Sequence, residues 1–137
     1  VIEADAEEKA IRIDGKTGAQ LLFEPETPMD IGMKKNQYMK VRIKGDPSIY
    51  RFVAYYIVEA DTPDAVFGPT LRLKKDLTVK ADEYTDIIMD MYYQGEGYGA
   101  QWDGQLRKFR LDIHNEAGTT AEGEIFIQYI GFFCTNL

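Results

Sequence analysis

Tyr38-Met39-Lys40-Val41-Arg42-Ile43-Lys44 alternates apolar and polar side chains along its whole length. Successive side chains of a strand point to opposite faces, so Met39, Val41 and Ile43 share one face and Tyr38, Lys40, Arg42 and Lys44 the other. The stretch reads as a half-buried β-strand with one wet face. Thr85 to Tyr93 repeats the pattern, with Ile87, Met89 and Met91 inward and Asp86, Asp90 and Tyr92 outward. Phe109 to Ile113 repeats it again, with Phe109, Leu111 and Ile113 inward and Lys108, Arg110, Asp112 and His114 outward.

Tyr50 to Val58 and Ile125 to Phe133 are apolar at both parities. They fit central strands or strands covered on both faces by loops, and are expected to be the most buried of the chain. Shorter strands are expected at Ala10 to Ile13, Ala19 to Phe23, Thr70 to Lys74 and Thr78 to Ala81, which makes about nine in all. Glu3 to Lys9 fits a helical turn or an extended edge equally well. Asp14-Gly15, Thr17-Gly18, Gly45-Asp46-Pro47, Thr62-Pro63-Asp64 and Ala117-Gly118 supply reversals between strands. No segment sustains a helical period over three turns, and no repeat or linker-like shift divides the chain. The expected fold is all-β, an antiparallel β-sandwich of jelly-roll type forming one domain over residues 1–137.

The chain has 137 residues, 45% of them apolar and 28% charged, a globular composition large enough to bury a core without disulfides. Its net charge of −7 repels phosphate backbones and anionic headgroups, so neither nucleic acid nor membrane insertion is expected. No apolar run approaches the roughly 18 residues of a membrane span. Cys134 is the only cysteine, which excludes an intrachain disulfide and a cysteine metal cage. The chain starts at Val1 with no basic-then-apolar leader, as expected of a domain excised from a larger protein.

The second half carries a longer pattern. Tyr84-Thr85-Asp86-Ile87-Ile88-Met89-Asp90-Met91 is followed by Trp102-Asp103-Gly104-Gln105-Leu106, then Phe109-Arg110-Leu111-Asp112, then Gly123-Glu124-Ile125-Phe126-Ile127-Gln128-Tyr129-Ile130. This resembles the carbohydrate-binding-module-like jelly rolls of bacteria, related to the galactose-binding-like sandwich, over about a third of the chain. The resemblance implies a domain that accompanies glycoside hydrolases or surface proteins, located outside the cell or at its surface. Some such modules hold structural calcium with carboxylates near the closing edge. Gln128 stands where many have aspartate, which weighs against calcium here and leaves no cofactor expected.

A sugar site needs flat rings against the C–H face of a pyranose and fixed polar groups for its hydroxyls. The glycine-rich loop from Tyr92 to Gln105 offers both, with Tyr92, Tyr98, Trp102, Gln101 and Asp103 as candidate ligand-binding residues beside Arg110 and Asp112 of the following strand. Trp102 and Tyr93 can equally cap the core, which makes Tyr92 and Tyr98 the sharper candidates for an exposed platform. A second candidate is one polar floor of Lys40, Arg42, Asp86, Asp90, Arg110 and Asp112 carrying Tyr38 and Tyr92. The competing reading is plain cross-strand charge pairing.

No phosphate loop, dinucleotide motif or histidine-rich metal spacing occurs. Glu3, Asp5, Asp14 and Asp112 would meet around calcium only if the first strand paired near the closing strands. His114, the only histidine, lies on the parity of Arg110 and Asp112, an arrangement a polysaccharide-active enzyme would want with a tyrosine nearby. No catalytic residues are assigned. The expected function is noncatalytic binding of a polysaccharide or glycan, with neighbouring domains of a parent protein as the other partners. The alternative is a structural or adhesive surface-protein sandwich that binds no sugar.

Overall fold

The computed structural model describes residues 2–14, 19–59, 64–67, 71–92, 98–99, 102–115 and 124–134. Within them run strands β1 (Ile2–Asp5), β2 (Ala10–Asp14), β3 (Ala19–Phe23), β4 (Met29–Asp30), β5 (Tyr38–Gly45), β6 (Ile49–Val58), β7 (Leu71–Asp76), β8 (Thr85–Asp90), β9 (Tyr98–Gly99), β10 (Gln105–Asn115) and β11 (Glu124–Phe133). A single 3₁₀ turn, Gly32–Lys34, is the one helical element among the described residues. The first sheet has the order β1-β2-β11-β5-β8. The second has the order β3-β10-β6-β7-β9, with β4 also on β10. Every described pairing is antiparallel. Chain-adjacent strands cross between the sheets at β2 to β3, β4 to β5, β5 to β6, β7 to β8, β8 to β9 and β10 to β11, so the chain winds back and forth between the two layers of a β-sandwich.

Alternation builds the core. Met39, Val41 and Ile43 of β5 are fully buried between the sheets, facing Phe52, Ala54 and Tyr56 of β6 and Leu111 and Ile113 of β10 in one cluster. Ile87 and Met89 of β8 join them, as the alternation predicts. Strand β6 is buried at both parities, because Val53 and Ile57 on its outer side are also covered. Part of that cover is a loop, since Phe67 stands edge-on to Tyr55 at 6.5 Å.

One open alternative is resolved and two expectations change. The extended alternative for the N-terminal segment is the observed one over Ile2–Asp5, paired with β2 in a hairpin. Thr78 to Ala81 is not a strand: it lies beside the end of β5, where Gly45 N donates to the Lys80 carbonyl at 2.8 Å and Val79 plugs the core. Strand β11 is central in its sheet, as one alternative had it, but it is not among the most buried strands. Ile127 pairs with Ile43 and Tyr129 with Arg42, so Gln128 is an extra residue in a β-bulge. Ile125 and Ile127 point inward before it. After it Ile130 and Phe132 sit opposite the core residues Val41 and Met39, while Tyr129, Gly131 and Phe133 turn outward. Apolar residues at both parities are here two alternating runs of opposite phase.

Strand β2 pairs with β11 only from Glu124 to Ile127. Beyond that point an apolar cleft of about 410 Å³ remains between the sheets, lined among others by Ile11, Leu22, Phe23, Met29, Ile130 and Phe132. Leu22 and Phe23, on the edge strand β3, are exposed there. Among the described residues no helix is long and apolar enough to cross a membrane.

Candidate functional site

The outward residues of the first sheet line up in rows set by register. Asp90, Tyr38 and Phe133 form one row, Ile88, Lys40 and Gly131 the next, and Asp86, Arg42 and Tyr129 the third. Gly131 decides the shape of this face. A β-carbon at Gly131 would collide with the Tyr129 ring, so the absence of a side chain lets that ring lie along the strand over the glycine. Tyr129 is 47% exposed in this position. Phe133 stacks on Tyr38 with centroids 5.4 Å apart and planes at 28°. Between Tyr129 and Phe133 lies a shallow depression of about 450 Å³ lined by these two rings, Lys40 and Arg42.

The polar groups around the rings are fixed by neighbours. Arg42 donates from Nη1 to Asp86 Oδ1 at 3.1 Å and from Nε to Gln128 Oε1 at 3.0 Å. Gln128 Nε2 in turn donates to the Glu8 carbonyl at 3.0 Å, which ties the bulge to the β1–β2 hairpin. Lys40 Nζ stands 5.9 Å from the Tyr129 centroid and 3.7 Å from Asp86 Oδ2. Flat rings with oriented donors and an acceptor beside them can hold a sugar by its C–H face and its hydroxyls.

Next to this row, Glu8 accepts from Lys44 Nζ at 2.8 Å and from the Tyr84 hydroxyl at 2.9 Å. The bonds from Lys44 and then Tyr84 hold the Glu8 carboxyl below its usual range. Burial first, and the bond to Glu8 second, push the Tyr84 phenol from 10.0 up to about 12. A phenol whose folded value is raised stabilises the fold fully below its unfolded value, and that stability is lost as pH rises through the folded value. The stability difference between wild type and Tyr84→Phe in urea melts is therefore expected to close between pH 10 and about 12. A difference that stays constant across this window would dissociate Tyr84 from Glu8.

The residues expected from the sequence are placed elsewhere or only in part here. Trp102 is a core residue, 1% exposed, stacked on Phe132 at 5.5 Å and edge-on to Tyr56 at 5.0 Å and Phe109 at 6.2 Å. Its Nε1 donates to the Asn36 carbonyl at 3.1 Å. A ring enclosed on these sides has no free face for a pyranose, which corrects its place among the ligand-binding candidates. Asp103 is exposed and accepts from Met33 N at 3.2 Å, bracing the turn beside Trp102. Tyr92 is half-buried, with Lys34 Nζ 5.0 Å from its ring centroid. The Tyr98 backbone pairs with Arg72 at the edge of the second sheet. Its side chain, residues 93–97 and Gln101 lie outside the described residues.

Arg110 and Asp112 belong to the outer face of the second sheet, whereas Lys40, Arg42 and Asp86 belong to that of the first. The single polar floor is thus two floors on opposite sides of the sandwich. Arg110 grips Asp112 through Nε at 2.8 Å and Nη2 at 3.1 Å, and lies 4.4 Å from the Tyr55 centroid and 5.2 Å from that of Phe67. Asp112 is nearly buried as a result. Glu3 and Asp5 lie in β1 of the first sheet and so are not brought to Asp112. Among the described residues no group of three histidine, cysteine or acidic side chains is placed to hold a metal ion.

Tyr129, Gly131 and Phe133 were absent from the expected site because they fall in a run that reads as core. The signal was present in Tyr129-Ile130-Gly131-Phe132-Phe133, whose alternate positions are two rings about a glycine.

No family model and no curated protein matches the chain. Solved structures do. The one described as "BiXyn10A CBM1 APO" superposes with a TM-score of 0.59 at 12% identity, covering 98% of this chain and 80% of that one. The one described as "Structure of PfGH50B" gives 0.60 at 9% identity, covering all of this chain (100%) and 22% of that one. At these identities the likeness is one of fold. The chain shares the β-sandwich fold of these structures.

Proposed function

We propose that this chain is a noncatalytic carbohydrate-binding module that holds a larger extracellular bacterial protein to a polysaccharide through the outer face of its first sheet. The observation that carries the reading is the Tyr129 ring laid over Gly131, open to solvent, with Phe133, Lys40 and Arg42 around it. The names of the similar structures, a module of a xylanase and a glycoside hydrolase of which this chain spans a fraction, support a domain that works beside an enzyme.

Affinity electrophoresis through gels containing polysaccharides tests the reading. Tyr129→Ala and Phe133→Ala are each expected to weaken retention about tenfold, the effect of losing roughly 1.4 kcal/mol of ring contact. Tyr92→Ala, beyond the end of β8 with its ring beside Lys34, leaves retention unchanged. Equal retention of wild type and Tyr129→Ala would move the site off this face.

The alternative, a structural or adhesive sandwich that binds no sugar, has the apolar cleft beside β11 in its favour, since a neighbouring domain of the parent protein would cover Leu22, Phe23 and Ile130. Absence of retention on every polysaccharide favours that reading.

A further inference from the structure

We infer, resting on the reading that the Tyr129 face binds polysaccharide, that the polymer it selects is anionic and that Lys40 and Arg42 read its carboxylate or sulfate groups. Among the described residues the depression between the rings is lined by two cations and two aromatic side chains and by no carboxylate. One carboxylate, Asp86, serves both cations. Arg42 holds it within hydrogen-bond distance, whereas Lys40 Nζ at 3.7 Å is beyond the range of a formed N–H···O bond. Two cations thus share one carboxylate at the depression, the other acidic side chain of β8, Asp90, being held by Gln37 in the Tyr38 row, and Lys40 is 38% exposed.

Position favours an acidic ligand as well. Lys40 Nζ lies 5.9 Å from the centroid of the ring proposed to take the sugar, so an acidic substituent on a pyranose stacked over Tyr129 comes within reach of the ammonium. Arg42 spends two N–H groups on Asp86 and Gln128 in the described contacts, and a guanidinium carries five. The planar fork suits a carboxylate or a sulfate, while the lysine acts as a mobile point charge. The chain's net charge of −7 opposes approach of a polyanion. At physiological ionic strength the Debye length is about 8 Å, so charges beyond the face are screened and contact distance decides.

The test uses the whole chain on gels containing a polyuronate, its carboxyl-reduced counterpart, a sulfated galactan and its desulfated counterpart. Wild type is expected to be retained at least about tenfold more strongly by an anionic polymer than by its neutral counterpart, and the pair that shows this identifies carboxylate or sulfate as the group read. Lys40→Gln and Arg42→Gln are expected to remove most of that preference, and raising the salt to weaken it. Lys80→Gln, a surface cation paired with Glu83 outside this face, leaves the preference intact. Equal loss in Lys80→Gln would reveal nonspecific ion exchange and overturn the inference. Retention by the neutral polymers that depends on Tyr129 but not on Lys40 or Arg42 would overturn the charge reading and keep the sugar site. Retention by none of the polymers would remove the binding reading itself.

Discussion

Trp102→Ala is expected to destabilise the fold by about 3–5 kcal/mol, the range for deleting a buried tryptophan. Three aromatic neighbours, Tyr56, Phe109 and Phe132, would border the space left, and two of them belong to strands of the second sheet while Phe132 belongs to β11 of the first. The ring thus joins the two layers, and the cavity cannot close without moving both. For a domain of this length the loss corresponds to a fall in Tm of roughly 10–20 °C. Trp102→Phe keeps most of the apolar bulk but leaves the Asn36 carbonyl without its indole donor, a cost of about 1–2 kcal/mol. Because Trp102 is the only tryptophan, its emission reports on this site alone. It should be blue-shifted and insensitive to acrylamide, with or without bound glycan. A quenchable emission protected by a polysaccharide, together with an unchanged Tm in the alanine variant, would return Trp102 to the binding site.

Deleting Gln128 is expected to leave both faces of β11 in place. Ile127 sits opposite Ile43 and Tyr129 opposite Arg42, so without the extra residue the strand runs from Ile127 inward to Tyr129 outward to Ile130 inward in the same register. What the deletion removes is the bend of the bulge, together with the Gln128 contacts to Arg42 and the Glu8 carbonyl. The expected cost is about 1–3 kcal/mol, that of straightening a packed strand. Gln128→Ala keeps the bulge and loses only the surface contacts, worth about 1 kcal/mol or less. Chemical denaturation of the two variants side by side separates the bend from the contacts. A deletion variant that leaves little folded protein would show that the register does not carry over without the bulge.

The strands that were legible are those with one wet face. In β5, β8 and β10 the polar parity marks the outside, and the buried residues follow from it without exception among Met39, Val41, Ile43, Ile87, Met89, Phe109, Leu111 and Ile113. Strand β11 was not legible because a bulge changes phase without changing composition. The division of the polar floor was not legible either, since alternation says that Arg42 and Arg110 both point outward but not that β5 and β10 lie in different sheets. That is settled by the crossing of the chain between layers, which local pattern does not encode. Lys40, Arg42, Asp86 and Tyr38 were expected on one surface and share one. Their aromatic partners came from the strand that sequence had assigned to the interior.

The order β1-β2-β11-β5-β8 has a kinetic consequence. Strand β11 lies between β2 and β5, so Ile11 and Ile127, far apart along the chain, must meet before the first sheet has a centre. Until β11 emerges from the ribosome, β2 and β5 have no partner between them and their edges stay open. The β6–β7 pair, by contrast, is close in sequence and can form early. Folding dominated by such distant pairings is slow, in the millisecond-to-second range for sandwiches of this kind. The face that carries Tyr129 is then among the last parts of this sandwich to be assembled, and it cannot engage a ligand before β11 has joined β5.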